Sequence, residues 1–213
     1  MRAVHPFSLF SVAAIGVAAY GRVSRATHQR RTVRRDQKFR RALQKARWLP
    51  GDVVAHATNP LGKAWLHIPA AVMLSRYVAQ RGRGRGALVP VLASVAAEVL
   101  SRTLDRTPPH RKPPPGHPKQ HKPSFPSGHA LETTAVSATS AYVLARERLA
   151  APRDAFAAAA ALSLASTFGR LYLDRHWASD AVAGTVLGIS IAATCGALYE
   201  MAEANADHPE PAA

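Results

Sequence analysis

Charge and apolar character separate along this chain. Six stretches hold almost no formal charge: residues 4–21, 155–168 and 181–199 contain no Lys, Arg, Asp or Glu, residues 64–80 contain only Arg76, residues 87–100 only Glu98, and residues 130–145 only Glu132. Between them lie segments crowded with Lys, Arg and Pro. A helix needs about 20 residues to cross a bilayer, and several blocks are shorter, so flanking residues must extend them. The pattern predicts an all-α fold, a six-helix integral membrane bundle. A soluble helical bundle is the competing reading, because alanine-rich segments are borderline on insertion scales. The first block also has a signal-peptide reading, since Arg2 precedes an apolar stretch that ends in small residues. The Arg-rich run that follows fits a membrane-flanking segment better.

Charge adds a partner class. Lys and Arg number 28 against 13 Asp and Glu, a formal charge of +15, which calls for an anionic partner such as phosphate, nucleic acid or an acidic membrane surface. Residues 22–48 carry much of it, with Phe39, Leu43 and Ala46 at helical spacing. They predict an amphipathic helix lying on anionic headgroups, with a solvated charge run as the alternative. No nucleic-acid reading motif accompanies the charge, which argues against that partner. Residues 81–86 (RGRGRG) predict a turn, and the proline-rich residues 102–125 a long surface loop. The lone Cys195 excludes an intrachain disulfide and a cysteine metal site. These divisions give an N-terminal apolar helix with a basic amphipathic segment (1–63), a helical core (64–200) and an acidic flexible tail (201–213).

Two clusters carry chemistry. Ser127, Gly128 and His129 open the fourth apolar block, where a serine cap and unpartnered backbone N–H groups make an anion receptor. Read alone, this is an ordinary capped helix start. Arg170, His176 and Asp180 join the fifth and sixth blocks, and the four-residue step from His176 to Asp180 puts both on one helical face. An aspartate accepting the Nδ1 proton of His176 leaves Nε2 free as a nucleophile or base, while Arg170 offers a planar donor fork for phosphate. Read alone, this is a helix-end ion pair.

Together, PSGH at 126–129 and the pattern of Arg170, five residues, His176, three residues, Asp180 closely resemble the second and third signature motifs of the type 2 phosphatidic acid phosphatase superfamily. The resemblance covers about the C-terminal half. The family's first motif, a Lys, six residues, then Arg-Pro, is degraded. Setting Lys112-Pro113 in the Arg-Pro slot puts Asp105 in the Lys slot, and setting Arg102 in the Lys slot puts Pro109 where Arg belongs. The family's usual serine before the third-motif arginine is Gly169.

The resemblance implies motif loops meeting at one membrane face and a phosphatase that hydrolyses phosphate esters without a metal. In that scheme His176, held by Asp180, forms a phosphohistidine and His129 moves the proton. Arg170, Ser127, Gly128, Arg106, Arg111 and Lys112 hold phosphate oxygens. No carboxylate cluster is visible along the sequence, so no metal or other cofactor is expected. The implied substrate is a lipid phosphate monoester or diphosphate of the phosphatidic acid, phosphatidylglycerol phosphate or polyprenyl phosphate type. Topology puts the loops after the third and fifth blocks on the same side as the basic N-terminal segment, so the positive-inside rule makes the active-site face cytoplasmic, in the cell membrane. A vanadium-dependent haloperoxidase within the same resemblance, and a non-catalytic basic membrane-surface or nucleic-acid-binding protein, are the rival readings. The sequence assigns no oligomeric state.

Overall fold

The computed structural model describes residues 1, 3–117, 119 and 121–207. Arg2 of the signal-peptide reading and residues 208–213 of the tail lie outside them. Among the described residues helix is the only regular secondary structure: α1 (Pro6–His28), α2 (Val33–Lys45), α3 (Leu49–Thr58), a 3-10 turn (Asn59–Gly62), α4 (Ala64–Gln80), α5 (Gly84–Arg106), α6 (Gly128–Arg146), α7 (Pro152–Tyr172) and α8 (Ala178–Asp207). Each apolar block falls on one helix, α1 and α4 to α8, the first block starting two residues ahead of α1. The all-α class stands and the count of six does not, because the basic segment folds as well. Proline sits in the first turn of α1, α3 and α7, where its missing N–H leaves no hydrogen bond unmade.

The basic segment is not one surface helix over 22–48. Residues 22–28 continue α1, Arg30 turns the chain at a φ of 58°, and α2 starts afresh at Val33. The face that α2 turns to the protein is polar: Asp36 is buried and Arg40 clamps Asp174 with two hydrogen bonds of 2.8 and 2.6 Å. Phe39 is 46% exposed. Elsewhere α5 already begins at Gly84, so the glycine-rich turn is shorter than 81–86. At the other end α8 runs through Asp207, past the boundary drawn at 200.

Helix α6 is the core element, buried against α5, α7 and α8. Its contact with α8 is close because two glycines four apart face it. A Cβ on Gly188 would stand 2.6 Å from the Leu131 carbonyl oxygen, and one on Gly184 would collide with that of Ser127. Small residues spaced this way let helix backbones approach where no hydrophobic effect drives association. The outer surface is apolar instead: Ile15 on α1, Leu88 on α5 and Leu164 on α7 are 69%, 66% and 69% exposed. Among the described residues three helices, α1, α5 and α8, are long and apolar enough to cross a membrane by length and composition.

Gly188→Val overpacks the α6–α8 contact and costs about 1–3 kcal/mol, read as a lower thermal unfolding midpoint in detergent. Gly21→Val, with nothing within 4 Å of its Cβ, leaves the midpoint unchanged.

Candidate active site

The N-terminus of α6, the last turn of α7 and the turn before α8 meet at one end of the bundle. His129 is the second residue of α6 and packs under the 3-10 turn, where a Cβ on Gly62 would lie 2.5 Å from the His129 Cα. A hydrogen bond to the Asn59 backbone holds its ring and leaves the buried Nε2 without a partner among the described residues. Arg170 donates from Nη1 to Asn59 Oδ1 (2.8 Å) and from Nη2 toward His176 Nε2 (3.4 Å). Gly128, His129, Arg170 and His176 share one cavity of about 360 Å³, together with Lys63, Arg102 and Lys122.

The state of His176 follows from its neighbours. Its Nδ1 lies 2.8 Å from the Ser124 carbonyl oxygen, which only accepts, so Nδ1 carries the proton. Arginine only donates, so the lone pair of Nε2 faces Arg170. Burial first, and then the Arg170 guanidinium, push the imidazole well below the ordinary histidine range. The base that sequence reasoning chose for Nδ1 needs correction. Asp180 Oδ2 is 3.9 Å from Nδ1 and accepts the Trp177 N–H at 2.9 Å instead, while Oδ1 accepts from Arg111 at 2.6 Å. Ser124, absent from the sequence candidates, orients the ring, and no residue type could have signalled it because the acceptor is backbone.

Other candidates also move. Ser127 is buried and caps α6, its Oγ accepting from Ala130 N at 3.4 Å and its own N–H donating to the Asp180 carbonyl at 3.0 Å. It does not line the cavity. Arg106 is exposed at the end of α5, also outside the lining. Arg111 and Lys112 line a different cavity, beside His28 and Trp177. Arg111 is spent on structure: it donates to Asp36 (2.7 Å), Asp180 (2.6 Å) and Ser179 Oγ (2.7 Å), and lies 5.2 Å from the Trp177 ring centre.

The cavity takes its positive charge from Lys63, Arg102 and Lys122 instead. Arg102 had a signal, since one register put it in the lysine slot of the first motif; Lys63 and Lys122 had none. Gly169 has a reason as well. A Cβ there would stand 2.7 Å from Thr58 Oγ1 and 3.0 Å from the Ala55 carbonyl oxygen, so the seating of α3 on α7 excludes the family's serine. The fold also assembles a carboxylate cluster that the sequence did not show: Glu98 and Glu132, both on the cavity wall, converge on His67.

The family model of the PAP2 superfamily matches residues 84–203, more than half of the 213-residue chain. Among curated proteins, none matches. Among solved structures, the crystal structure of a transmembrane PAP2-type phosphatidylglycerolphosphate phosphatase from Bacillus subtilis is similar, with a TM-score of 0.70 over 97% of this chain and 98% of that one. At 20% identity the likeness is one of fold.

Two outcomes follow from this geometry. In NMR of histidine-labelled protein in detergent, His176 Nε2 stays unprotonated as pH falls through 6.5; an apparent pKa at or above 6.5 contradicts the assignment. Arg111→Ala strands two buried carboxylates and costs about 3–5 kcal/mol in thermal unfolding, whereas Arg106→Ala leaves stability unchanged.

Proposed function

The chain belongs to the PAP2 superfamily and is an integral membrane phosphatase, and from that premise we propose that it hydrolyses a lipid phosphate through a phosphohistidine on His176. The observation that carries this reading is the pair of imidazole nitrogens on one cavity: His176 Nε2, its lone pair fixed by the Ser124 carbonyl, and His129 Nε2, unpartnered.

His176 Nε2 attacks phosphorus in line, forming the P–N bond as the P–O bond to the lipid breaks. The negative charge of the bound phosphate draws a proton onto His129 Nε2, and His129 gives it to the leaving oxygen. His129 then takes a proton from water, which attacks phosphorus, breaks the P–N bond and frees inorganic phosphate. Arg170, Lys63, Arg102, Lys122 and the Gly128 N–H neutralise the equatorial oxygens. No divalent ion contacts phosphorus in this scheme.

An apolar outer surface beside a basic cavity suits a lipid phosphate: phosphatidic acid, phosphatidylglycerol phosphate, or a polyprenyl phosphate or diphosphate. The solved relative acts on phosphatidylglycerol phosphate by its description, which makes that lipid the first to test. The basic apron of α2 and the adjoining loops directs the site toward the cytoplasmic face of the cell membrane by the positive-inside rule.

Protein purified in detergent is expected to release phosphate from at least one of these lipids and to be inhibited by vanadate. His176→Ala loses about 10³-fold or more and His129→Ala about 10²–10⁴-fold. Undiminished turnover in His176→Ala removes the nucleophile, and halide oxidation with vanadate present points to a haloperoxidase instead. For orientation, a cysteine replacing the exposed His121 is expected to resist membrane-impermeant labelling in intact cells; labelling from outside reverses the assignment.

A further inference from the structure

Three apolar helices each contribute one ionisable residue to a single point beside the cavity. His67 of α4, Glu98 of α5 and Glu132 of α6 each place a ligand atom within 4.8 Å of the other two. Ionisable groups among apolar helices are costly and face one another for a reason. His67 is almost wholly enclosed, its side chain 3% exposed, and its Nε2 has no hydrogen-bond partner among the described residues. That nitrogen points between Glu98 Oε2 and Glu132 Oε2, 3.6 Å from each.

The spacing decides what belongs there. At 3.6 Å each contact is longer than a well-formed hydrogen bond, so a proton on that nitrogen makes ion-pair contacts with both carboxylates and a short bond to neither. Donor atoms that share a tetrahedral ion at 2.0–2.2 Å stand roughly 3.3–3.6 Å apart. The surroundings are those of a held ligand set. His67 Nδ1 lies 2.9 Å from Ser94 Oγ, and with Nδ1–H donating there, Nε2 presents a lone pair to the two oxygens. Glu98 is fixed through its other oxygen, which accepts from Arg102 Nε at 2.5 Å, and Glu132 has Ser101 as a hydrogen-bond partner. The two carboxylates then converge on one lone pair, and Arg102 pairs with only one of them. A cation between them removes the repulsion.

The geometry points to a divalent-cation site formed by His67, Glu98 and Glu132, with a water completing four-coordination. One imidazole and two carboxylates suit a borderline ion, Zn²⁺ or Mn²⁺, over Mg²⁺, which prefers six oxygens. The ion ties α4, α5 and α6 together at the cavity wall and cancels the two carboxylates that otherwise face an anionic substrate. It is separate from the phosphoryl-transfer scheme above, in which His176 does the chemistry.

The test measures metal directly. Full-length protein in detergent is stripped with chelator, reloaded with Zn²⁺, Mn²⁺ or Mg²⁺ alone, desalted and assayed for bound metal; Co²⁺ loading adds an absorption readout of tetrahedral coordination. One Zn²⁺ or Mn²⁺ per chain is expected in wild type and in His176→Ala, at least tenfold weaker binding in Glu98→Gln and Glu132→Gln, and loss in His67→Ala. Circular dichroism of each variant identifies misfolding, and the isosteric glutamine variants carry the test if His67→Ala fails to fold. No ion in wild type, or equal binding in folded Glu98→Gln and Glu132→Gln, overturns the site. Wild type that takes up no ion on reloading yet releases lipid phosphate overturns the cation site alone. A loaded protein whose His176→Ala form hydrolyses normally overturns the phosphohistidine alone.

Discussion

A half-buried guanidinium that meets two buried carboxylates organises the catalytic end of this molecule. Arg111 comes from a proline-rich loop and reaches Asp180 at the start of α8 and Asp36 on α2, both almost wholly buried. Removing either partner strands a charge in a poorly solvated place, so loop, α2 and α8 are obliged to come together. The same residue's carbonyl accepts the Ser124 N–H at 2.9 Å, and the Ser124 carbonyl in turn accepts the hydrogen bond from His176 Nδ1–H. The lone pair on His176 Nε2 thus depends, three contacts away, on an ion pair that never touches substrate.

The second constraint is backbone packing. Gly184 and Gly188 allow α8 to lie against the first turns of α6, where the Ser127 N–H donates to the Asp180 carbonyl. That bond fixes the helix carrying His129 to the one that follows His176. Two histidines 47 positions apart in sequence therefore open on one cavity without either being held by a flexible element. Positioning of this kind matters because in-line transfer tolerates little misplacement.

Segregation of charge was enough to read six of the helices, since each uncharged block has to bury or face lipid as a unit. Of the other two, α2 falls inside the basic segment read as one amphipathic helix, and α3 had no signal; their docking rests on pairs distant in sequence, Asp36 with Arg111 and Arg40 with Asp174 for α2, and Tyr172 with the backbone of Trp48 for α3. Motif spacing brought out His129, Arg170 and His176, which the fold collects. It misassigned the support of His176 to Asp180 because a backbone carbonyl has no sequence signature. Arg111 looked like a phosphate ligand by charge and place; only the positions of Asp36 and Asp180 reveal its ion pairs. The trio of His67, Glu98 and Glu132 did leave a trace, since Glu98 and Glu132 are the lone formal charges of their apolar blocks, but convergence is a property of the packed helices.

The central claim is that His176 Nε2 becomes covalently bonded to phosphorus. The direct measurement is rapid alkaline quenching during turnover of a lipid phosphate with labelled phosphorus, followed by proteolysis and mass spectrometry. An acid-labile, alkali-stable phosphate is expected on the peptide containing His176, enriched in His129→Ala and absent in His176→Ala. Label on another residue, or turnover with no labelled protein in His129→Ala, would contradict it.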